Sequence, residues 1–195
     1  MLEVPKAVGA TKATIQPDNT MDNQQERLST CVDLGWLGGI LDGEGNFSLH
    51  WMDKNNDRFV IYPRVQITNK DPKLIDEVVR ILSDHKIAHY RDQNRDGVMH
   101  VMVNGMKRVK AFLDVIDPYV RTKKDRLLLV QCFVESRLAN ENQRAPYTRE
   151  EVLCFRNLRQ LNSWNRGSSK DRIDKRVAEI LRDYTPSPGS GRVMI

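Results

Sequence analysis

The chain is poor in cysteine. Cys31, Cys132 and Cys154 are the only three in 195 residues, and they stand too far apart for a metal knuckle or a disulfide framework. That scarcity points to a reducing compartment, either an organelle or a bacterial or archaeal cytoplasm. No apolar run approaches the roughly 20 residues that a membrane-crossing helix needs. The N-terminus also lacks the basic-then-apolar order of a secretory signal, so no membrane partner is expected. A strong charge bias is missing too: 31 lysines and arginines against 26 aspartates and glutamates give +5, a modest lean toward a polyanionic partner. Apolar periodicity is absent at both ends. Residues 1–28 are polar, with no arginine before Arg27, and read as a disordered or extended leader rather than a transit peptide. TPSPGSGRVMI, 185–195, reads as a flexible tail. Nothing between them has the composition of a linker, so 29–184 is expected to form one domain.

What is present is strongly patterned. Asp33 to Leu41 is apolar at helix spacing and can be capped by Ser29, Thr30 or Asp33, which predicts a helix ending at Gly43-Glu44-Gly45. From Asn46 the period changes to two. Phe47, Leu49 and Trp51, then Phe59, Ile61, Val65 and Ile67, form one greasy face of a hairpin around the turn DKNND. Asp71-Pro72 opens a second helix. A second hairpin follows around the turn NRDG, with Tyr90, Val101 and Val103 expected inside and Arg91, Gln93, His100 and Met102 outside. Helices are then expected near Met106–Asp117, Lys124–Leu138, Thr148–Trp164 and Arg172–Asp183, with Thr148 and Glu151 forming a capping box. The order predicts an α+β fold, αββαββα at its core with extra C-terminal helices, in which helices cover one face of an antiparallel sheet.

The stretch WLGGILDGEG, 36–45, resists a purely structural explanation. An internal glycine costs a helix about 1 kcal/mol relative to alanine, so Gly38 and Gly39 together need a reason. Close approach of another backbone would be one. Asp42 and Glu44 stand at the helix C-terminus, against roughly half a negative charge from the macrodipole. A divalent cation would reverse that disadvantage, and oxygen ligands suit magnesium.

Leu37-Gly38-Gly39-Ile40-Leu41-Asp42-Gly43-Glu44-Gly45 resembles, position by position, the signature of the LAGLIDADG homing endonucleases. VQITNKDPKLIDEVV, DPYVRTKKDRLLLV and EEVLCFRNLRQLNSWNRGSSKDRIDKRVAEIL extend the likeness to the single-motif branch typified by chloroplast group I intron endonucleases. Only one motif copy is present, so the resemblance implies a C2 homodimer in which motif helices pack together through Trp36, Gly38, Gly39 and Asp42. It implies double-strand cleavage across the minor groove of a long pseudo-palindromic DNA site, with Glu44 as metal ligand and the Gly43 carbonyl as a further contact. Asn69 matches the residue that organises solvent, and Lys73 and Lys123 match the basic residues. The implied cation is magnesium, with manganese as a substitute and calcium binding without supporting cleavage. Taken alone, Asn69 could close a turn, and Lys73 and Lys123 could be surface charge.

A strand pair fits the major groove, and alternate side chains then meet base edges. The residues expected to contact DNA are Ser48, His50, Met52, Lys54, Arg58, Tyr62, Arg64, Gln66, Arg91, Gln93, His100 and Met102. Lys170 in NRGSSKDR is expected on phosphate. An ordinary wet sheet face is the plainer reading of the same alternation. Two other functions carry the motif. An RNA-binding intron maturase usually has two copies of it. A cleavage-inactive DNA-binding regulator usually adds a helix-turn-helix domain. The acid at Glu44 and the base at Lys123 favour the enzyme.

Overall fold

A computed structural model describes the backbone of residues 19–54, 59–140, 145–162 and 168–184, with side chains from residue 26 onward except 168–170. Arg58, the Lys170 side chain, most of the expected leader and the tail lie outside the described residues. The chain divides into two compact units, Met1–Val32 and Asp33–Ile195.

The first helix, α1, runs Asn19–Glu44, so it starts well before the apolar period that predicted it. Gln24, Gln25, Glu26, Arg27 and Leu28 are good helix formers without an apolar stripe, and residues 26–29 are exposed. Helical propensity without burial left no periodic signal there. In the second unit, Leu34, Leu37 and Leu41 return at spacings of three and four and are buried.

Two hairpins follow, β1 (Gly45–Asp53) with β2 (Phe59–Asn69), and β3 (Tyr90–Gln93) with β4 (Met99–Asn104), separated by α2 (Pro72–Asp84). Asp71 caps α2 by accepting from the Lys73 amide, with Pro72 in the first turn as expected. The strands form one antiparallel sheet in the order β1-β2-β4-β3. The helices α3 (Met106–Ile116), α4 (Lys124–Ala139), α5 (Arg149–Leu161) and α6 (Ser168–Asp183), with a short 3-10 turn at Asp117–Tyr119 after α3, complete the described elements. The Thr148–Glu151 capping box is formed at the start of α5.

One sheet face is apolar. Phe47, Leu49, Ile61, Val65, Ile67, Met99, Val101 and Val103 are buried together with Val78, Phe112, Leu127, Phe133 and Phe155 from the helices. The other face carries Ser48, His50 and Met52 of β1, Val60, Tyr62, Arg64, Gln66 and Thr68 of β2, and His100, Met102 and Asn104 of β4. Those residues pair across the strands as Ser48 with Arg64, His50 with Tyr62, Gln66 with Met102 and Thr68 with His100. The α+β fold expected from the sequence is the observed one.

The edge strand β3 is the exception. Arg91 lies opposite Val101 and Gln93 opposite Met99, while Tyr90 and Asp92 oppose Met102 and His100. Paired residues share a face, so Arg91 and Gln93 belong to the helix-covered side and Tyr90 and Asp92 to the open one. The loop is one residue longer than NRDG: the Asn94 amide donates to the Val98 carbonyl, and the Asn94 side chain accepts from the amides of Asp96 and Val98. A shift of one residue turns every side chain over.

Candidate functional site

The motif helix and α4 hold each other's ends. The Asp42 carboxylate accepts from the backbone amides of Arg121 at 2.9 Å, Thr122 at 3.1 Å and Lys123 at 3.0 Å, completing the N-terminus of α4. In return the Lys123 ammonium donates to the carbonyls of Leu41 at 3.1 Å, Gly43 at 3.0 Å and Gly45 at 2.6 Å, the unpaired end of α1. Partial burial works to raise the Asp42 carboxyl, but the three amides outweigh it and hold its pKa below the ordinary value. Burial, aided by Arg126, lowers the Lys123 pKa, while Asp42 and Glu44 oppose the change.

This arrangement bears on three expectations. Asp42, expected at the subunit contact, caps α4 of its own chain. Gly38 is buried, and a methyl group there would come within 2.5 Å of the Tyr119 carbonyl oxygen, so the close approach it allows is internal. The Gly43 carbonyl, expected as a metal contact, accepts from the Lys123 ammonium. Gly39, by contrast, has nothing within 4 Å of a would-be methyl, and Trp36 is 38% exposed; both remain open for contact.

Glu44, the last residue of α1, is exposed and makes no hydrogen bond or salt bridge among the described residues. No group of three potential metal ligands occurs among the described residues. One free carboxylate per chain suits a hard cation that keeps its waters and takes remaining ligands from phosphate oxygens. Glu44 fits magnesium on those terms, and the other donors of the motif are engaged.

Gly45 pairs with Ile67, which places Glu44 and Asn69 at the same end of the β1–β2 pair. Asn69 closes the β2–α2 turn, its side-chain oxygen accepting from the Asp71 amide at 2.9 Å, and Lys73 is exposed in the first turn of α2. Glu44, Lys123, Asn69 and Lys73 therefore gather around one end of the sheet.

On the open face, side chains bond one another. Ser48 Oγ lies 3.0 Å from His50 Nε2 and donates to the Arg64 carbonyl, and His50 stacks on Tyr62 with ring centres 5.3 Å apart. Burial, with help from Arg64, lowers the His50 pKa to about 4, so the imidazole is neutral near pH 7. Arg64 Nε donates to Asn104 Oδ1 at 2.9 Å. Gln66, Thr68 and His100 form a triangle with contacts of 3.0 to 3.1 Å. Met52 and Lys54 are exposed at the end of β1. Arg91 instead pairs with Asp76 of α2 at 2.7 Å, away from this face. Thr68, Asn104, Tyr90 and Asp92, not among the expected DNA contacts, also share this face; parity along β2 and β4 marks the first two, and no sequence signal marks the others.

Residues 32–117 match the family model described as a LAGLIDADG-like domain. Over that span the chain is similar to a LAGLIDADG-like domain, and its fold is that of the LAGLIDADG homing endonucleases. It is similar to the homing endonuclease I-CvuI solved with the I-CreI target and 2 mM Mg, with DNA not cleaved: TM-score 0.62 and 13% identity over 81% of this chain and 99% of that one. Archaeal intron-encoded I-Vdi141I in complex with DNA gives 0.60 at 13% identity over 77% and 97%. Group I intron-encoded I-CeuI in complex with DNA gives 0.55 at 12% identity over 72% and 81%. No curated protein sequence matches the chain.

Proposed function

We propose that this chain is a site-specific double-strand DNA endonuclease of the intron-homing type, acting as a C2 homodimer with a divalent cation. The observation that carries the reading is the motif helix itself. Its terminus is fixed by Asp42 and Lys123, and Glu44 projects from it uncommitted, at one end of a polar sheet face. Support comes from the relatives described as DNA complexes, one with Mg and another I-CvuI complex with 2 mM Ca.

In this reading two copies meet through the exposed side of α1 at Trp36 and Gly39, setting one Glu44 from each beside a scissile phosphate. A bound magnesium would neutralise charge developing on the phosphate and lower the pKa of its water. Glu44 supplies the anionic ligand. Lys123 and Asp42 hold the helix end still, so that no reorganisation is needed during hydrolysis. Asn69 orients solvent and Lys73 faces the phosphate. The sheet face reads bases through Ser48, His50, Met52, Tyr62, Arg64, Gln66, His100 and Met102, with Lys54 on the backbone. Neutral His50 can donate or accept, and Arg64 suits guanine.

The test is cleavage of a plasmid carrying the intron-less host locus. The wild-type chain should cut it with magnesium or manganese and bind without cutting in calcium. Glu44→Gln should keep DNA affinity within a fewfold while cutting drops by on the order of a thousandfold or more. Full cutting by that variant would remove Glu44 from the mechanism.

A further inference from the structure

The helix layer holds a feature that DNA cleavage does not use. Between α5 and α6 runs a groove of about 680 Å3 whose walls include Arg149, Arg156, Arg159 and Arg182, over a floor that includes Val177. Asp174 is the one acid lining it, and it is already paired with Arg159 Nε at 3.0 Å. Arg149, Arg156 and Arg182 take part in no salt bridge among the described residues, and all three are exposed. Arg156 has only long contacts of 3.4 Å to the neighbouring Asn157. One amino group of Arg159, Nη2, is buried without a hydrogen-bond partner. Clustered guanidinium groups repel one another, and a buried N–H without an acceptor is unfavourable. Both conditions are relieved by the same kind of ligand.

We infer that the α5–α6 groove is an anion site for a run of linked phosphate groups, separate from the sheet face. A carboxylate accepts one guanidinium fork at a time, whereas linked phosphates bring several charges and many acceptor oxygens within a few ångströms. Four arginines against one engaged acid match the second pattern.

Isothermal titration of the full chain with inorganic tripolyphosphate, without divalent metal, tests the site independently of nuclease activity. One tight equivalent per chain is expected. The double variant Arg149→Gln/Arg182→Gln, altered only at exposed positions, should bind at least tenfold more weakly with an unchanged melting temperature. Arg159→Lys keeps the charge and loses the fork, and should weaken binding several-fold. No binding by the wild-type chain, or equal binding by the double variant, overturns the inference. Preferential binding of polyglutamate, lost in the same double variant, overturns it in favour of an acidic peptide. Displacement of tripolyphosphate by a single-stranded oligonucleotide assigns the phosphates to a nucleic-acid backbone; failure to displace it assigns them to a free polyphosphate.

Discussion

The end of the motif helix and the open face of the sheet are both built from half-buried polar side chains, yet their partners differ in kind. At the helix end Asp42 and Lys123 bond to main-chain amides and carbonyls. On the sheet Ser48, His50, Gln66, Thr68, His100, Arg64 and Asn104 bond largely to one another. A side chain that satisfies main chain fixes the position of whole helices and cannot change partners without disturbing them. One that bonds to another side chain can exchange that bond for a base edge at little cost. Under the proposed function, the difference separates a rigid chemical centre from an adjustable reading surface.

The largest effect that would sharpen this contrast is expected at Gly38. Its alanine variant would drive a methyl into the Tyr119 backbone, which cannot yield as a side-chain tip could, and should lose as much as about 3 kcal/mol in urea unfolding. Asp42→Ala removes the acceptor for three amides and should lose about 1–2 kcal/mol by the same measurement. The Asp42 pKa is lower in the folded chain than its ordinary 3.8, so its contribution is complete above that value and disappears as pH falls through the folded pKa. Unfolding midpoints taken from pH 6 downward should therefore show an acid loss that Asp42→Asn abolishes. Gly39→Ala should act in the opposite sense from Gly38→Ala. With nothing within 4 Å, the added methyl should stabilise the isolated chain by up to about 1 kcal/mol while weakening self-association in sedimentation equilibrium. Equal effects at the two glycines would break the distinction between an internal and an external contact.

Smaller changes belong to the sheet face. His50 titrates near 4 when folded against 6.5 for the free side chain, so stability is full above 6.5 and declines as pH falls between those values. His50→Gln should flatten that decline. Asn104→Ala should alter stability by less than about 1 kcal/mol, yet it frees Arg64 and should relax preference at one base position in a binding-site selection. A large fold loss at Asn104 would show that the face is as rigid as the helix end.

The same contrast explains what the sequence made legible. The motif, the α2 start, the Thr148 capping box and both faces of the first hairpin follow from local spacing, because long strands with one buried face leave a period of two. The β3 face was lost because its four residues are all exposed, so alternation there carries no burial signal, and one loop residue decides the outcome. The early start of α1 was missed because its first turns form without an apolar stripe. The capping bonds of Asp42 and Lys123 span about 80 residues, a separation at which sequence spacing is silent. Spacing is equally silent on Gly38, which meets Tyr119, far away in the chain and adjacent in space.

The central claim is that two copies each bring one Glu44 to a shared cleavage site. Wild-type and Glu44→Gln chains, co-refolded and with the mixed dimer isolated by differential tags, should be assayed on a supercoiled plasmid carrying the target. Nicked circles from the mixed dimer, with linear product only from the wild-type pair, is the expected result. Linear product from the mixed dimer at the wild-type rate, or cutting by a chain that stays monomeric on DNA, would contradict it.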